Sequence, residues 1–377
     1  MKTLNNFDVS KKKVLLRVDY NVPFDNKGEI ADDYRIKNSL PTIKHILKSC
    51  EQLIIMSHLG RPKGQVVEEL RLDKVAVRLM KLLGKNVAKV NDCVDIVLPD
   101  EKIVLLENLR FRRGEKENDR MFAKKLASHG DVYVNDAFGT CHREHASMVG
   151  IPKYLPGCVG FLVEKEIKFL NFDNAQRPFV VIMGGSKLST KFPVMNKLLP
   201  LVDKILLGGA MIFNFYKEQG LEIGNSLFEE EQMVTARLLL NNEKIVVPTD
   251  VVVADEIDEK AKFKTVTCEK IPKDWFGLDI GSESVDEFKK ILKKAKTVFW
   301  NGPLGYFEID EFAKSTFEIA DFLSKIEAKT VIGGGDSVSA IRKLKLENKF
   351  THISTGGGAA LAYIKNKNLP AFEALEL

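Results

Sequence analysis

Short β-branched runs alternate with longer amphipathic stretches along the whole chain, and this alternation constrains the fold more than any other feature. The runs fall at 14–18, 53–56, 103–106 and 132–134, then at 179–183, 205–207, 245–247, 298–300 and 330–332. Between them, segments such as "DKVAVRLMKLLG" and "VDEFKKILKKAK" place apolar residues three and four apart, the period of a half-buried helix. Strand–helix–strand alternation implies parallel sheets with helices on both faces. At 377 residues the chain exceeds one ordinary core, so two α/β domains are expected.

The two halves differ in the residues that come directly after each strand. In the first half the runs lead into cations, as in "LLRVDYN", "IIMSHLGRP", "LLENLRFRRG" and "VNDAFGTCHREH". In the second they lead into glycines, as in "VIMGGSK", "ILLGGAM", "FWNGPLG", "VIGGGDS" and "HISTGGG". Parallel sheets bind ligands beyond the carboxyl ends of their strands. The first half therefore presents a basic crevice and the second a glycine-lined one. Residues 162–178, "LVEKEIKFLNFDNAQRP", read as a helix and a Pro-marked turn, which places the interdomain connection there.

Composition excludes several classes. The net charge is only +5, too dilute for tail-driven nucleic-acid binding. The five cysteines (Cys50, Cys93, Cys141, Cys158 and Cys268) are scattered, without a C-x-x-C, which fits a reducing compartment. "MKTLNNFDVSKKK" has no apolar secretion core. The longest stretch free of charged residues, 350–364, holds His, Ser, Thr and three consecutive glycines, so no membrane span is expected. The expectation is a soluble cytoplasmic protein, with neither nucleic acid nor membrane as a partner.

"SHLGRPKG" (57–64) gathers a histidine, an arginine and a lysine on a Gly/Pro turn with no acid among them. The wider basic set is Arg17, Arg35, His58, Arg61, Lys63, Arg110, Arg112, Arg113, His142, Arg143 and His145. Taken singly, each is an ordinary surface charge. Together they mark a site, because arginine's planar fork grips carboxylate and phosphate oxygens in pairs. Asp19 and Asn21 are placed to take hydroxyls of the same ligand. A small, strongly anionic metabolite fits this set. RNA fits less well, since few aromatics are interleaved for stacking.

In the second half, "GGSKLSTK" sets Lys187 and Lys191 four apart, on one face if a helix starts at that turn. Glycines let backbone N–H groups approach phosphate, and a helix N-terminus adds a favourable dipole. Neither G-x-x-x-x-G-K-[ST] nor G-x-G-x-x-G occurs, which excludes a standard P-loop and argues against a dinucleotide enzyme. Asp336 in "GGGDS" is either a Mg²⁺ ligand beside phosphates or a helix N-cap.

Together "LLRVDYNVP", "SHLGRP", "LLENLRF", "NDAFGTCHREHAS", "GGSKLSTK", "WNGPLGYFE", "GGGDS" and "HISTGGG" resemble the phosphoglycerate kinase family, in its order and over the whole chain. The resemblance implies two doubly wound, Rossmann-like parallel-sheet domains facing each other across a cleft, with a helical hinge. Residues 1–160 with a returning tail of about 363–377 would bind 3-phosphoglycerate, 161–178 would form the hinge, and 179–362 would bind ATP or ADP with Mg²⁺. Substrate contacts fall on Asp19, Tyr20, Asn21, Arg35, His58, Leu59, Gly60, Arg61, Arg110 and Arg143. Nucleotide contacts fall on Gly184, Gly185, Lys187, Lys191, Gly208, Gly209, Asn301, Glu308, Gly334, Gly335, Asp336 and Ser337, with Asp336 on the metal. Arg35 and Lys191 are the expected transition-state charges, and a monomer is expected. Two positions depart from the family pattern: Thr190 stands where Asp is usual, and Ala362 where Glu is common.

The implied reaction moves a phosphoryl group between ATP and the carboxylate of 3-phosphoglycerate, giving 1,3-bisphosphoglycerate. A carboxylate acceptor of pKa about 3.5 is already ionised, so no general base is required. The rival readings are a non-enzymatic relative, an RNA-binding module and another small-molecule kinase.

Overall fold

A computed structural model describes residues 2–376. The chain divides into two compact units, Met1–Lys168 with Asn366–Leu377, and Phe169–Lys365.

The first unit is built on strands β1 (Lys13–Val18), β2 (Gln52–Met56), β3 (Ala88–Lys89), β4 (Ile103–Leu105), β5 (Val132–Asp136) and β6 (Gly157–Val159), in the order β3-β4-β2-β1-β5-β6. Every pairing is parallel, with Leu16 opposite Ile55 on one side and Val134 on the other. β2 and β5 are buried along their whole length. Their near-continuous apolar runs follow from having both sheet faces covered. Val14, Leu16, Ile55 and Val134 share one core with Ile43 and with Val75 and Leu79, from the helices Tyr34–Ile46 and Asp73–Leu83. The strand order reverses between β1 and β5, and ligands of such sheets bind at that point.

The second unit carries β7 (Phe179–Met183), β8 (Lys204–Leu207), β9 (Ile245–Val246), β10 (Asp250–Ala254), β11 (Phe263–Thr267), β12 (Phe276–Ile280), β13 (Thr297–Asn301), β14 (Lys329–Gly333) and β15 (His352–Ile353). Six of these form a second parallel sheet, β15-β14-β13-β7-β8-β9, which reverses between β7 and β13. Both sheets make this a doubly wound α/β chain.

One element departs from the parallel expectation. β11, β10 and β12 form a separate antiparallel sheet. No helix separates these three strands, apart from a single short 3₁₀ turn, and antiparallel neighbours can be joined by short links. β11 is exposed along most of its length, so it lacks the apolar run that marked the other strands.

The helix Phe161–Leu170 carries the chain from the first unit into the second, and the chain returns within the helix Gly358–Asn366. Asp136, the last residue of β5, accepts from the Leu162 and Val163 N–H groups at 2.9 and 3.4 Å and so caps the first of these helices. No helix among the described residues is long and apolar enough to cross a membrane.

Candidate active site

The loops beyond β1, β2 and β5, with the segment after β4, bring the basic residues of the first unit together. Arg17, on β1, is fully buried. Its Nε donates to Ser147 Oγ at 2.9 Å, Nη1 to the Val18 carbonyl, and Nη2 to His58 Nδ1 at 3.2 Å. Asp19, just past β1, pairs with Arg35 from the first turn of the helix Tyr34–Ile46 and lies 3.9 Å from His58. Asn21 Oδ1 accepts from the Gly60 N–H at 2.8 Å, and Arg110 Nη1 donates to the Gly60 carbonyl at 2.8 Å. These bonds fix the "SHLGRP" turn from two sides. Arg110 Nε is buried with no partner among the described residues.

The electrostatics describe a site short of negative charge. Burial, Arg143 and Arg17 push the Arg110 guanidinium down to about 10. Burial and the neighbouring arginines Arg61, Arg17 and Arg35 lower Arg143 against the pull of Asp19. Burial, aided by Arg17, Arg110 and Arg143, keeps His58 well below its usual range. Burial and the same arginines hold His145 at about 3. Burial alone would raise Asp19, but Arg35 and Arg17, with the Asn21 N–H, outweigh it and hold the carboxyl at about 2. Both histidines are therefore neutral at pH 7, and the positive field comes from the arginines.

Not every sequence candidate joins this cage. Arg112 turns to Asp92, and Arg113 packs against Gly64. Lys63 is exposed in a left-handed turn at φ 58. These three are ordinary surface cations. Tyr20 and Leu59 are buried: the Tyr20 hydroxyl bonds Ser39 at 2.8 Å and its N–H donates to Ser57 Oγ at 2.8 Å, while the Leu59 N–H and carbonyl both pair with Asn108, so these two residues shape the site from beneath. Arg61 is exposed on the rim. His142 accepts from Arg143 Nε at 3.4 Å.

The second unit holds a cleft of about 260 Å³, bordered by Gly185, Gly209, Glu308 and Asp336 from the predicted set. Its wall is apolar: Leu227, Ile257, Phe276, Leu278 and Tyr306. A flat heteroaromatic ring fits an apolar wall with a polar rim. These wall residues escaped sequence reading, because β12 and three separate loops contribute them. The signal present was "GYFE", whose Tyr306 and Phe307 line the cleft.

Several glycines serve close packing as well as ligand approach. A Cβ on Gly184 would sit 2.0 Å from the Pro303 carbonyl oxygen. One on Gly209, at φ 67, would sit 2.5 Å from the Gly185 nitrogen. Gly208 packs equally tightly on Leu304. Only glycine lets the turns after β7, β8 and β13 converge in this way. Gly335, by contrast, faces open space and Gly334 lies near the Asn301 amide. Ser337 is buried and its Oγ accepts from the Gly302 N–H at 2.7 Å.

The lysine pair does not lie on one helix face. Lys187 is the extended N-cap of the helix Leu188–Leu198, at φ −126, and only Lys191 lies within the first turn. The glycine turn runs one residue further than the i, i+4 pattern assumed. Lys191 Nζ donates to Asn301 Oδ1, and Asn301 Nδ2 is buried without a partner among the described residues. Burial, opposed by Asp336, brings the Lys191 ammonium down to about 8. Asp336 is not the N-cap of the helix Gly335–Lys343. Gly334 holds that position and Asp336 lies in the first turn, exposed beside the cleft.

A doubly wound α/β chain with an arginine cage at one sheet's reversal and a glycine-bordered cleft at the other's has the parts a phosphotransferase uses, a grip for an anionic acceptor and a cleft for a nucleotide. A family model described as phosphoglycerate kinase matches residues 4–367. The chain is 50% identical over 390 residues to a phosphoglycerate kinase of Trichodesmium erythraeum (strain IMS101), covering 99% of this chain and 98% of that one. It is 48% identical over 391 residues to one of Thermosynechococcus vestitus (strain NIES-2133 / IAM M-273 / BP-1), with the same coverage. Among solved structures, phosphoglycerate kinase from Coxiella burnetii superposes with a TM-score of 0.88 at 37% identity, covering 99% of this chain and 98% of that one. The chain belongs to the phosphoglycerate kinase family.

Proposed function

We propose that the chain catalyses reversible phosphoryl transfer between ATP and the carboxylate of 3-phosphoglycerate, giving 1,3-bisphosphoglycerate, and forms ATP in glycolysis. The observation that carries this reading is the gathering of Arg17, Arg35, Arg110 and Arg143 about Asp19 and His58 beyond the strand ends, with Arg110 Nε buried and without a partner among the described residues, a set of donors that a multiply charged anion would satisfy.

On this reading the first unit holds the acceptor. Arg61, Arg110 and Arg143 bind its phosphate end with neutral His58, while Asp19 and Asn21 position its hydroxyl. Asp19 also orients Arg35, whose guanidinium steadies the carboxylate and the charge arriving there. The second unit holds the nucleotide, with its base against the apolar wall and its phosphates beside the glycine turns and Asn301. Lys191 places its ammonium on the phosphoryl group in flight. The acceptor is already an anion, so catalysis consists of alignment and charge stabilisation.

Mg²⁺ accompanies the nucleotide and neutralises phosphate charge. Among the described residues no three His, Cys, Asp or Glu side chains gather as a metal group. A single exposed carboxylate, Asp336, suits an ion that keeps its waters and shares phosphate oxygens. Hinge bending where the chain crosses between units, a monomeric state and a cytoplasmic location complete the reading.

The test is turnover of ATP, Mg²⁺ and 3-phosphoglycerate, with the acyl phosphate trapped by hydroxylamine. Hydroxamate that depends on all three components is expected. Its absence from folded protein that binds both ligands would favour a non-catalytic relative.

A further inference from the structure

Beneath the arginine cage lies a carboxylate with no part in the phosphoryl-transfer chemistry. Glu115 belongs to the four-residue helix Arg113–Lys116, within the charged run "RFRRGEKEND". Arg112, Arg113, Lys116 and Glu117 around it are exposed, whereas Glu115 is fully buried. Both of its oxygens are taken by one residue: Ser147 Oγ donates to Oε1 at 2.6 Å and the Ser147 N–H to Oε2 at 3.0 Å.

Ser147, itself fully buried, passes this contact on by accepting from Arg17 Nε at 2.9 Å. Among the described residues Arg17 makes no direct ion pair: Nη1 donates to the Val18 carbonyl and Nη2 meets His58 Nδ1. A buried guanidinium and a buried carboxylate are each costly alone, and one serine joins them here. His145 Nδ1 lies 3.8 Å from Glu115 Oε1, and Arg110 also feels the Glu115 charge. Four segments that are distant in sequence, around residues 17, 58, 115 and 147, are thus strung in one chain of contacts that ends on a single anion: Glu115 to Ser147, Ser147 to Arg17, and Arg17 to His58.

We propose that Glu115 is a positioning residue of the acceptor site: through Ser147 it fixes Arg17, and through Arg17 the ring of His58, so the cage keeps its shape before the acceptor arrives. This rests on the reading of the cage as the 3-phosphoglycerate site. Asp19 orders the outer edge of the cage through Arg35, and Glu115 orders its floor.

The test is steady-state kinetics of Glu115→Gln, Ser147→Ala and the double variant, with Arg143→Ala as reference. Glu115→Gln keeps the shape but removes the charge and one of the two acceptors. KM for 3-phosphoglycerate should rise about tenfold, the weight of one charge-assisted hydrogen bond. KM for ATP should stay within about twofold, because the lost interaction lies wholly on the acceptor side. Ser147→Ala, which leaves Glu115 in place but cuts the link to Arg17, should give the same signature. The double variant should be no worse than the worse single one, since both act on one chain of contacts. If the variants lose thermal stability while KM for 3-phosphoglycerate is unchanged, Glu115 is structural only and the proposal fails. A parallel rise in both KM values overturns it as well. Should Glu115→Gln not fold, Ser147→Ala alone decides by the same criteria. If Arg143→Ala also leaves KM for 3-phosphoglycerate untouched, the acceptor-site reading falls together with this one.

Discussion

The basic cage and the glycine-bordered cleft occupy equivalent places, each at the point where its parallel sheet reverses, yet they are held by opposite means. The cage is held by side chains: Asp19 on Arg35, Asn21 and Arg110 on Gly60, and Glu115 through Ser147 on Arg17. The cleft is held by backbone: the turns after β7, β8 and β13 approach so closely that only glycine fits at Gly184 and Gly209. A site for a small polyanion needs fixed charges, and fixed charges need partners. A site for a nucleotide needs N–H groups within reach of phosphate and an apolar wall for the base. The comparison predicts that damage to one site should be read on one substrate only, except where a residue touches the group being transferred.

That exception gives the largest expected effect. Lys191→Ala should lower kcat on the order of 10²–10³-fold while the protein still binds both ligands, as for other electrostatic stabilisers of a transition state. Near-normal kcat would remove Lys191 from the chemistry. Next comes the cage. Arg143→Ala should raise KM for 3-phosphoglycerate about 10–100-fold with kcat little changed, as expected for loss of ground-state and transition-state binding together. A large fall in kcat at constant KM would place Arg143 on the reacting centre instead.

The pH profile sharpens the contrast. Burial brings the Lys191 ammonium down to about 8, and the proposed role requires the charged form. As pH rises through that value the proton is lost, so kcat/KM for ATP should fall on the alkaline side with a break near 8. His58 and His145 are already neutral above pH 6.5, so neither should add a break between pH 6.5 and 8. A break in kcat/KM for ATP that persists unshifted in Lys191→Arg would belong to another group.

Smaller effects are expected on the cleft wall. Leu227 is 65% exposed and borders the cleft. Leu227→Ala should raise KM for ATP about fivefold, the loss of about 1 kcal/mol of apolar contact, and leave KM for 3-phosphoglycerate alone. The smallest change concerns the family departure at Thr190. Its hydroxyl donates to the Lys187 carbonyl at 2.9 Å and the residue is exposed. Thr190→Asp should shift KM for ATP by less than about threefold, within the usual range of a surface substitution.

The same contrast explains what the sequence made legible. β1, β2, β5, β7, β13 and β14 were visible as apolar runs because both faces of each parallel sheet are covered. The cage residues stood out because cations directly after such runs are unusual. β11 was missed because it is exposed along most of its length, so burial left no pattern to read. The cleft wall was missed because Leu227, Ile257 and Phe276 meet only once the antiparallel sheet has formed. Glu115 was indistinguishable from its exposed neighbours in "RRGEKEND", since burial of a single acid leaves no trace in a charged run. The lysine pair was misread because an i, i+4 spacing says nothing of where the helix begins.

The most direct test of the two-site account is calorimetric titration of 3-phosphoglycerate and, separately, of ADP with Mg²⁺ into the parent protein and Arg143→Ala. The account predicts that the variant loses at least about tenfold in affinity for 3-phosphoglycerate and keeps its affinity for ADP. Equal losses for both ligands, or undiminished binding of 3-phosphoglycerate, would contradict it.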